Sequence, residues 1–320
     1  MKIDLVYLWC NGSDPQWRSR REHFVETGAV CDPQAICDGR IADNSDLRYS
    51  LRSVELYAPW VNHIYIVTDN QSPDWLDTTN PRISIVNQND LFDPKYLPLY
   101  NSCALELGLH KIEGLSEHYI YANDDMMLGR AVSPEFFFTA DGKAKSRFIW
   151  SKSFKRCDDT YSHTINRVLD AIVGEYGAKY DFLYPHHQID PYVKGSVEEC
   201  LAKYCDWTEE TLSHNFRSRD DMQRHIFSLF AVATGRGVVA SRFRQQFSRL
   251  RQIILMFLGC SKGANSLLIG LESKDIERPV KLLKPALLCF NDSERATEED
   301  RIQIKRIYER LYPRKSQFEL

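Results

Sequence analysis

The stretch Tyr119-Ile-Tyr-Ala-Asn-Asp-Asp125 constrains this 320-residue chain more than any other. Tyr, Ile and Ala suit a pleated, buried strand, whereas adjacent carboxylates repel each other and hydrate poorly inside a core. The change of character after Ala122 therefore marks a strand end at the rim of a sheet, where open α/β folds bind ligands. Asn123, Asp124 and Asp125 together suit a hard divalent cation, which commonly bridges to substrate phosphates. The competing reading is a strand-to-loop turn, because Asn and Asp are ordinary turn formers.

The first 130 or so residues alternate strand-like and helix-like segments. Ile3 to Trp9 reads as a buried strand followed by the turn Asn11-Gly12. Asp14 before Pro15 is a helix start, with an N-cap carboxylate and proline at the first helical position. Asp46 is expected to cap a second helix in which Leu47, Leu51, Val54 and Ala58 share one face. His63–Thr68 and Ile83–Val86 are β-branched strands, and Asn101-Ser102 opens a helix running to about His110. Strands separated by helices predict a largely parallel sheet covered on both faces. From about 155 to 280 the pattern turns mainly helical, with helices near 163–175, 192–204, 219–234 and 242–258. Ala286–Phe290 is a further apolar run, ending in Asn291-Asp292 before a charged helix. The expectation is one catalytic domain over 1–320, with an α/β core of about 1–150 plus 285–320 and a helical insertion of about 155–280.

Composition sets the remaining bounds. A hydrophobic fraction of 43% suffices to bury a sizeable core, and a net charge of −3 gives no global basic field for nucleic acid. Nine cysteines contain no CxxC pair, and the spacings Cys31/Cys37 and Cys200/Cys205 match neither a zinc knuckle nor a redox motif. Reduced thiols in a cytosolic enzyme are the simpler expectation. Asp4 interrupts the apolar core that a signal peptide needs, and Ile253–Cys260 is far shorter than the roughly 20 residues of a membrane span. A cytoplasmic protein is expected. Arg242, Arg244, Arg249 and Arg251 precede that apolar run, so 242–258 is either a peripheral membrane contact or a domain helix with a buried apolar end.

Several other groups bear on chemistry. Asn11, Gly12, Ser13 and Asp14 follow the first strand directly, where N–H groups at a helix N-terminus favour phosphate or nucleotide; a tight turn with a helix cap explains them equally. Arg48 and Arg52 lie four apart on one helical face, an arrangement that repels unless both face an anion or both are solvated. His186-His187 offers a base for an attacking hydroxyl. Arg217, among Arg219, Asp220 and Asp221, suits a phosphate or a surface ion-pair cluster. Asn291-Asp292 repeats the pattern of an apolar run ending in oxygen ligands. Together these groups are what metal-assisted chemistry on a phosphorylated substrate requires.

These segments resemble the Stealth proteins. Ile3–Asp14 resembles their first region; Asp46–Glu55, Ala58-Pro-Trp-Val, Ile64–Thr68 and Tyr119–Asp125 resemble the second; His187–Pro191 through Phe216–Arg219 resembles the third, and Leu288–Asp292 the fourth. The family includes bacterial capsular polysaccharide hexose-1-phosphate transferases and the animal enzyme that starts mannose-6-phosphate tagging. The resemblance implies a GT-A-like α/β core, Mg²⁺ or Mn²⁺, a UDP-sugar donor and a glycan or lipid-linked oligosaccharide acceptor. Sugar and phosphate would move together to an acceptor hydroxyl, releasing UMP. Carried over by position, Asp124, Asp125, Asn291 and Asp292 are the metal-side residues, and Asn123 stands beside them. His187 matches the third-region histidine, with His186 a close rival, and Arg217 matches its arginine. Asn11 stands where many members have Asp, keeping an oxygen but losing a charge. The rival readings are a metal-dependent glycosyltransferase that releases UDP and a non-catalytic sugar-nucleotide or polysaccharide-binding module.

Overall fold

Alternate residues along the first strand feed two separate cores, as the pleat of a sheet buried on both faces demands. In β1 (Ile3–Leu8), Ile3, Leu5 and Tyr7 pack on one side and Val6 on the other. The structure, a computed structural model, describes residues 1–28, 33–150, 159–240, 266–273, 276–293 and 295–320. After β1 come α1 (Pro15–Glu26), the short α2 (Pro33–Ile36), α3 (Asp46–Tyr57), β2 (Ile64–Thr68), β3 (Ile83–Asn87), the single turn α4 (Gln88–Leu91) and α5 (Ser102–Gly108). Then follow β4 (His118–Asn123), β5 (Met126–Leu128), β6 (Ala144–Ser146), β7 (Phe148–Trp150) and α6 (Thr160–Tyr176). The rest comprises β8 (Leu183–Pro185), β9 (Asp190–Val193), α7 (Lys194–Lys203), α8 (Cys205–Leu212), α9 (His225–Ala233), β10 (Gly237–Val239), β11 (Ser266–Gly270), α10 (Glu277–Leu283), β12 (Leu287–Asn291) and α11 (Glu298–Leu311).

The central sheet has the order β3-β2-β1-β4-β9, with β3, β2, β1 and β4 parallel and β9 antiparallel. This is the expected mostly parallel α/β sheet covered by helices. Leu8 pairs with both Val67 and Asn123, and Thr68 with Asn87, so the carboxyl ends of β1, β2, β3 and β4 finish along one rim. Because β9 runs the other way, its start meets the end of β4: Asp190 opposes Tyr121. Residues just before β9 thus reach the same rim. The stretch read as a helical insertion therefore also contributes a core strand, and its β11 pairs with β12, which pairs antiparallel with β5.

α3 lies on one face through Leu47, Leu51, Val54 and the following Ala58, all buried. Hydroxyls pin it. Ser50 Oγ donates to Met126 O at 2.5 Å, so Tyr7 OH donates to Ser50 Oγ at 2.7 Å, and Leu128 N donates to Ser53 Oγ at 3.0 Å. One expectation is corrected here. Ser45, in the left-handed region at φ 64°, occupies the cap position of α3, and Asp46 is the first helical residue, buried. The cysteines at 10, 103, 200, 205 and 289 are free, while Cys31, Cys157 and Cys260 lie outside the described residues. Residues 242–258, expected as a helix or a membrane contact, also lie outside them. Among the described residues no helix is long and apolar enough to cross a membrane.

Arg48 and Arg52 do face a common anion, and it is the chain's own Glu319. Arg52 forks onto both Glu319 oxygens at 2.7 Å and also donates to Tyr312 O at 2.9 Å. Arg48 approaches Glu319 at 3.9 Å, with its guanidinium 4.9 Å from the Trp75 ring centre. The paired charge is desolvated, with Glu319 only 3% exposed, so removing one partner leaves buried charge uncompensated. Glu319→Ala should destabilise the protein by about 3 kcal/mol, lowering the calorimetric melting temperature. The exposed-site control Glu113→Ala should not move it. Equal melting of Glu319→Ala and the native chain would contradict this anchoring role.

Candidate functional site

At the rim, the loop after β4 carries Asp124 and Asp125, and the start of α3 brings Asp46 to them. Asp46 accepts from Asn44 N at 3.0 Å and from Tyr308 OH at 2.6 Å, so α11 fixes its carboxylate from behind. Burial, offset by the Tyr308 hydrogen bond and reinforced by the charges of Asp125 and Asp43, pushes the Asp46 carboxyl up to about 7. Burial and the neighbouring charges of Asp46, Asp125 and Asp43 hold Asp124 well above the usual carboxylate range. Asp125 is pushed up to about 6, chiefly by burial, against the lowering effect of its hydrogen bond from Cys289 Sγ at 3.3 Å. Its Oδ1 is buried with no hydrogen-bond partner. Asp43 and Asp46 were not read as part of this centre from the sequence. The signal was present in Asp43-Asn-Ser-Asp46, an acidic turn ahead of an amphipathic helix.

Asp292 reaches the same region from the end of β12 and raises Asp125 electrostatically. Its own charge is already matched: Arg301 donates through Nε at 2.9 Å and Nη2 at 3.2 Å, and Asn44 Nδ2 at 3.2 Å. Asn291 is exposed, and its backbone oxygen accepts from Leu271 N at 3.1 Å. Among the described residues, no group of three His, Cys, Asp or Glu side chains converges on a single point as a finished metal site. The donor chemistry nevertheless fits a hard divalent cation. Asp46 is buried, Asp124 and Asp125 are half-buried beside it, and one buried oxygen, Asp125 Oδ1, lacks any donor.

The turn after β1 is built by internal hydrogen bonds. Asn11 Oδ1 accepts from Ser13 N at 2.9 Å, and Asp14 Oδ1 caps α1 by accepting from Gln16 N at 2.8 Å and Trp17 N at 3.2 Å. Gln71 then locks this turn to the loop after β2, bonding both backbone groups of Asn11 and Asp14 Oδ2. Gly12 is required by packing: a Cβ there would lie 2.2 Å from Ile41 O. The helix-cap reading thus accounts for the side chains of Asn11 and Asp14.

The two histidines differ in surroundings. His186 is buried and its Nδ1 shares a hydrogen bond with Ser266 Oγ at 2.7 Å. His187 is only partly buried, and its Nδ1 shares one with Tyr161 OH at 3.0 Å. Arg217 is held at the start of α5, where both Nε, at 3.0 Å, and Nη2 donate to Ser102 Oγ. Asp221, expected as part of a surface cluster, is fully buried and accepts from Asn101 Nδ2, Ser218 N and His214 Nδ1, each at 2.8 Å.

Beneath the rim lies an ionic group that the sequence did not suggest. Arg224, only 1% exposed, donates through Nε to Glu106 Oε1 at 3.1 Å and through Nη1 to Asp190 Oδ2. Its guanidinium stacks 5.0 Å from the centre of the Tyr121 ring. The Tyr121 hydroxyl touches Glu106 Oε1 at 3.0 Å and the amide of Asn123 at 2.6 Å. Arg224 also lowers Asp125 electrostatically, so this group counters part of the negative charge above it.

Comparison with known proteins agrees with the first two of the resembled regions. Stealth protein CR1, conserved region 1, matches residues 1–27, and Stealth protein CR2, conserved region 2, matches residues 40–146. An exopolysaccharide phosphotransferase of Streptomyces coelicolor is 36% identical over 74% of this chain, which spans 41% of that relative's length. A capsular polysaccharide phosphotransferase of Aeromonas hydrophila is 34% identical over 74% of this chain and 67% of its own length. Among solved structures, the galactosyltransferase LgtC with donor and acceptor sugar analogs superposes with a TM-score of 0.47 and 9% identity, over 97% of this chain and 95% of that one. A likeness of that degree carries no functional weight. The two matched regions and the phosphotransferase relatives give the family outright: this chain belongs to the Stealth proteins.

Proposed function

We propose that residues 1–320 act as one catalytic domain that moves a hexose 1-phosphate from a UDP-sugar to an acceptor hydroxyl. The product is a phosphodiester in a capsular or surface polysaccharide, on a glycan or lipid-linked acceptor, and the leaving group is UMP. The observation that carries this reading is the set of carboxylates at the rim, buried Asp46 beside half-buried Asp124 and Asp125, all raised by burial and with Asp125 Oδ1 unpartnered. The names of the related phosphotransferases support it.

Asp124 and Asp125, with Asp292 beside them, are the residues to hold Mg²⁺ or Mn²⁺. When bound, the ion supplies positive charge to the donor's diphosphate and to the charge that develops on transfer. The chain's own residues do the rest. His187 takes the acceptor hydroxyl's proton; its Nδ1 is fixed on Tyr161, which orients the ring, and its partial exposure admits an acceptor. His186, buried against Ser266, supports that loop from inside. Arg217, steadied by Ser102, offers a planar fork to the phosphoryl oxygens. The turn Asn11–Asp14, leading into α1, brings the positive end of that helix to the donor, although the N–H groups of Asn11, Ser13 and Asp14 are bonded within the chain.

Asp125→Asn and Arg217→Ala should each lower the rate of UMP release by about 10²–10³, and His187→Ala by about 10²–10⁴. His186→Ala should lose stability before it loses turnover. Release of UDP in place of UMP would refute phosphoryl transfer, and near-native rates in all of the first three variants would refute the site.

The carboxylates also fix a pH dependence. Their folded-state values are raised, so between about pH 4 and about pH 7 the folded chain holds protons that the unfolded chain has lost. Stability of the chelator-treated protein therefore falls as pH rises through that window. A divalent cation, which favours the ionised carboxylates, should raise the melting temperature more at about pH 8 than at about pH 5. Asp46→Asn should flatten the slope of the cation-free protein. A slope unchanged in that variant would show that Asp46 is not among the raised groups.

A further inference from the structure

Asp221 is fully buried in a loop whose neighbouring carboxylate, Asp220, is exposed. Taking a carboxylate out of water is costly unless donors replace the lost hydration. Two of its three donors act on the backbone around Arg217. Ser218 N donates to Oδ2 at 2.8 Å, which fixes the peptide that follows Arg217. Asn101 Nδ2 donates to the same oxygen at 2.8 Å. That nitrogen also donates to His214 O at 3.2 Å and to Phe216 O at 3.3 Å, so it holds the peptide that precedes Arg217 as well. Tyr100 N adds a bond to Asn215 O at 2.8 Å. The Arg217 side chain then returns to the residue after Asn101, where Ser102 Oγ takes both Nε and Nη2. Backbone and side chain of Arg217 are thus fastened to three consecutive residues at the opening of α5. Of the five guanidinium N–H groups, those on Nη1 and the second on Nη2 are left to meet a phosphoryl group.

We propose that Asn101, Ser102 and Asp221 are positioning residues that hold the Arg217 guanidinium against the phosphoryl group that is transferred. The fastening adjoins the rim. Phe216 stacks on Tyr100 at 5.4 Å between ring centres, and Tyr100 meets Trp17 in the first turn of α1 at 5.5 Å. Asn101 serves two elements with one amide: its oxygen caps α5 by accepting from Cys103 N at 3.0 Å, and its nitrogen holds the loop. A carboxylate suits position 221 because it accepts at both oxygens, taking Ser218, Asn101 and His214 together. An arginine side chain is long and flexible, and displacement of a reacting-site group by about 1 Å costs about 10²-fold in rate.

This inference rests on the transferase reading above, and its test separates the two. The transferred phosphoryl group is present in UDP and absent from UMP, so these two nucleotides are the probes. Each is titrated calorimetrically into the full chain with Mn²⁺ present, alongside melting curves. Asn101→Ser keeps a hydroxyl that caps α5 and loses the amide nitrogen that holds the loop. It should weaken UDP binding by about 10-fold or more and UMP binding by no more than about 2-fold. In an Arg217→Ala background, itself weakened for UDP, Asn101→Ser should change UDP affinity by no more than about 2-fold. A merely structural role would lower both nucleotides and repeat its effect in that background. If Asn101→Ser does not fold, Ser102→Ala, which removes only the side-chain anchor, decides by the same comparison. Native UDP affinity in the folded variant, or an equal loss in both backgrounds, overturns the inference while leaving the transferase reading intact. Native UDP affinity in Arg217→Ala takes Arg217 out of the site and the inference with it. The predicted coupling in a chain that releases UDP from its donor retains the inference and removes the phosphoryl-transfer reading.

Discussion

Like charges gathered out of water are the constraint around which this rim is arranged. Burial pushes Asp46, Asp124 and Asp125 toward their neutral forms, and neighbouring carboxylates add to it: Asp125 for Asp46, Asp46 and Asp125 for Asp124, and Asp292 for Asp125. Left alone, such a group works against folding, because burial of an unpaired carboxylate is expensive and mutual repulsion adds to it. It persists only where the surrounding fold over-determines it. Here several elements hold the carboxylates in place: Tyr308 on α11 donates to Asp46, Cys289 on β12 donates to Asp125, and the hydroxyls of Tyr7, Ser50 and Ser53 lock α3 to β5. Such local conflict stands out in an otherwise consistent fold, and it is the ground of the function proposed above.

The supports come from distant parts of the chain, which explains how much of the site could be read in advance. The rim itself was legible, because an aromatic strand ending in Asn123-Asp124-Asp125 admits few placements. So was the start of α1, where Asp14-Pro15 is a local signal with a local cause. Asp46 was misplaced by one position, because a left-handed Ser45 turns the chain into α3 and frees the Asp46 carboxylate to point at Tyr308. The destination of Arg48 and Arg52 was hidden for a different reason. Helical spacing shows that two cations share a face and not which anion meets them, and Glu319 follows 267 residues after Arg52. The Glu106–Arg224–Asp190 group was illegible for the same reason: three charged residues on α5, β9 and the turn before α9 meet only when those elements pack.

The paired histidines show what geometry adds to a motif. His186 and His187 follow β8 where the chain bends, and their side chains meet different surroundings. Burial against Ser266 takes His186 inward, and partial exposure with a tyrosine hydroxyl on Nδ1 leaves His187 facing out. Sequence spacing carried no such distinction. The antiparallel turn of β9 completes the argument, since it returns the chain to the same rim where β4 ends.

Asp292 and Asp125 occupy matching places at strand ends, yet their electrostatics assign them different work. Asp292 already holds a bidentate arginine, Arg301, and two further donors, so its charge is largely matched before any ligand arrives. Asp125 has a thiol donor on one oxygen and nothing on the other. On the function proposed above, a cation would gain most where carboxylate charge is least compensated, at Asp124 and Asp125 ahead of Asp292. Arg301 then limits how much negative charge Asp292 adds, while Arg224 does the same from below for Asp125. Both arginines thus offset part of the negative charge that burial makes costly at this rim.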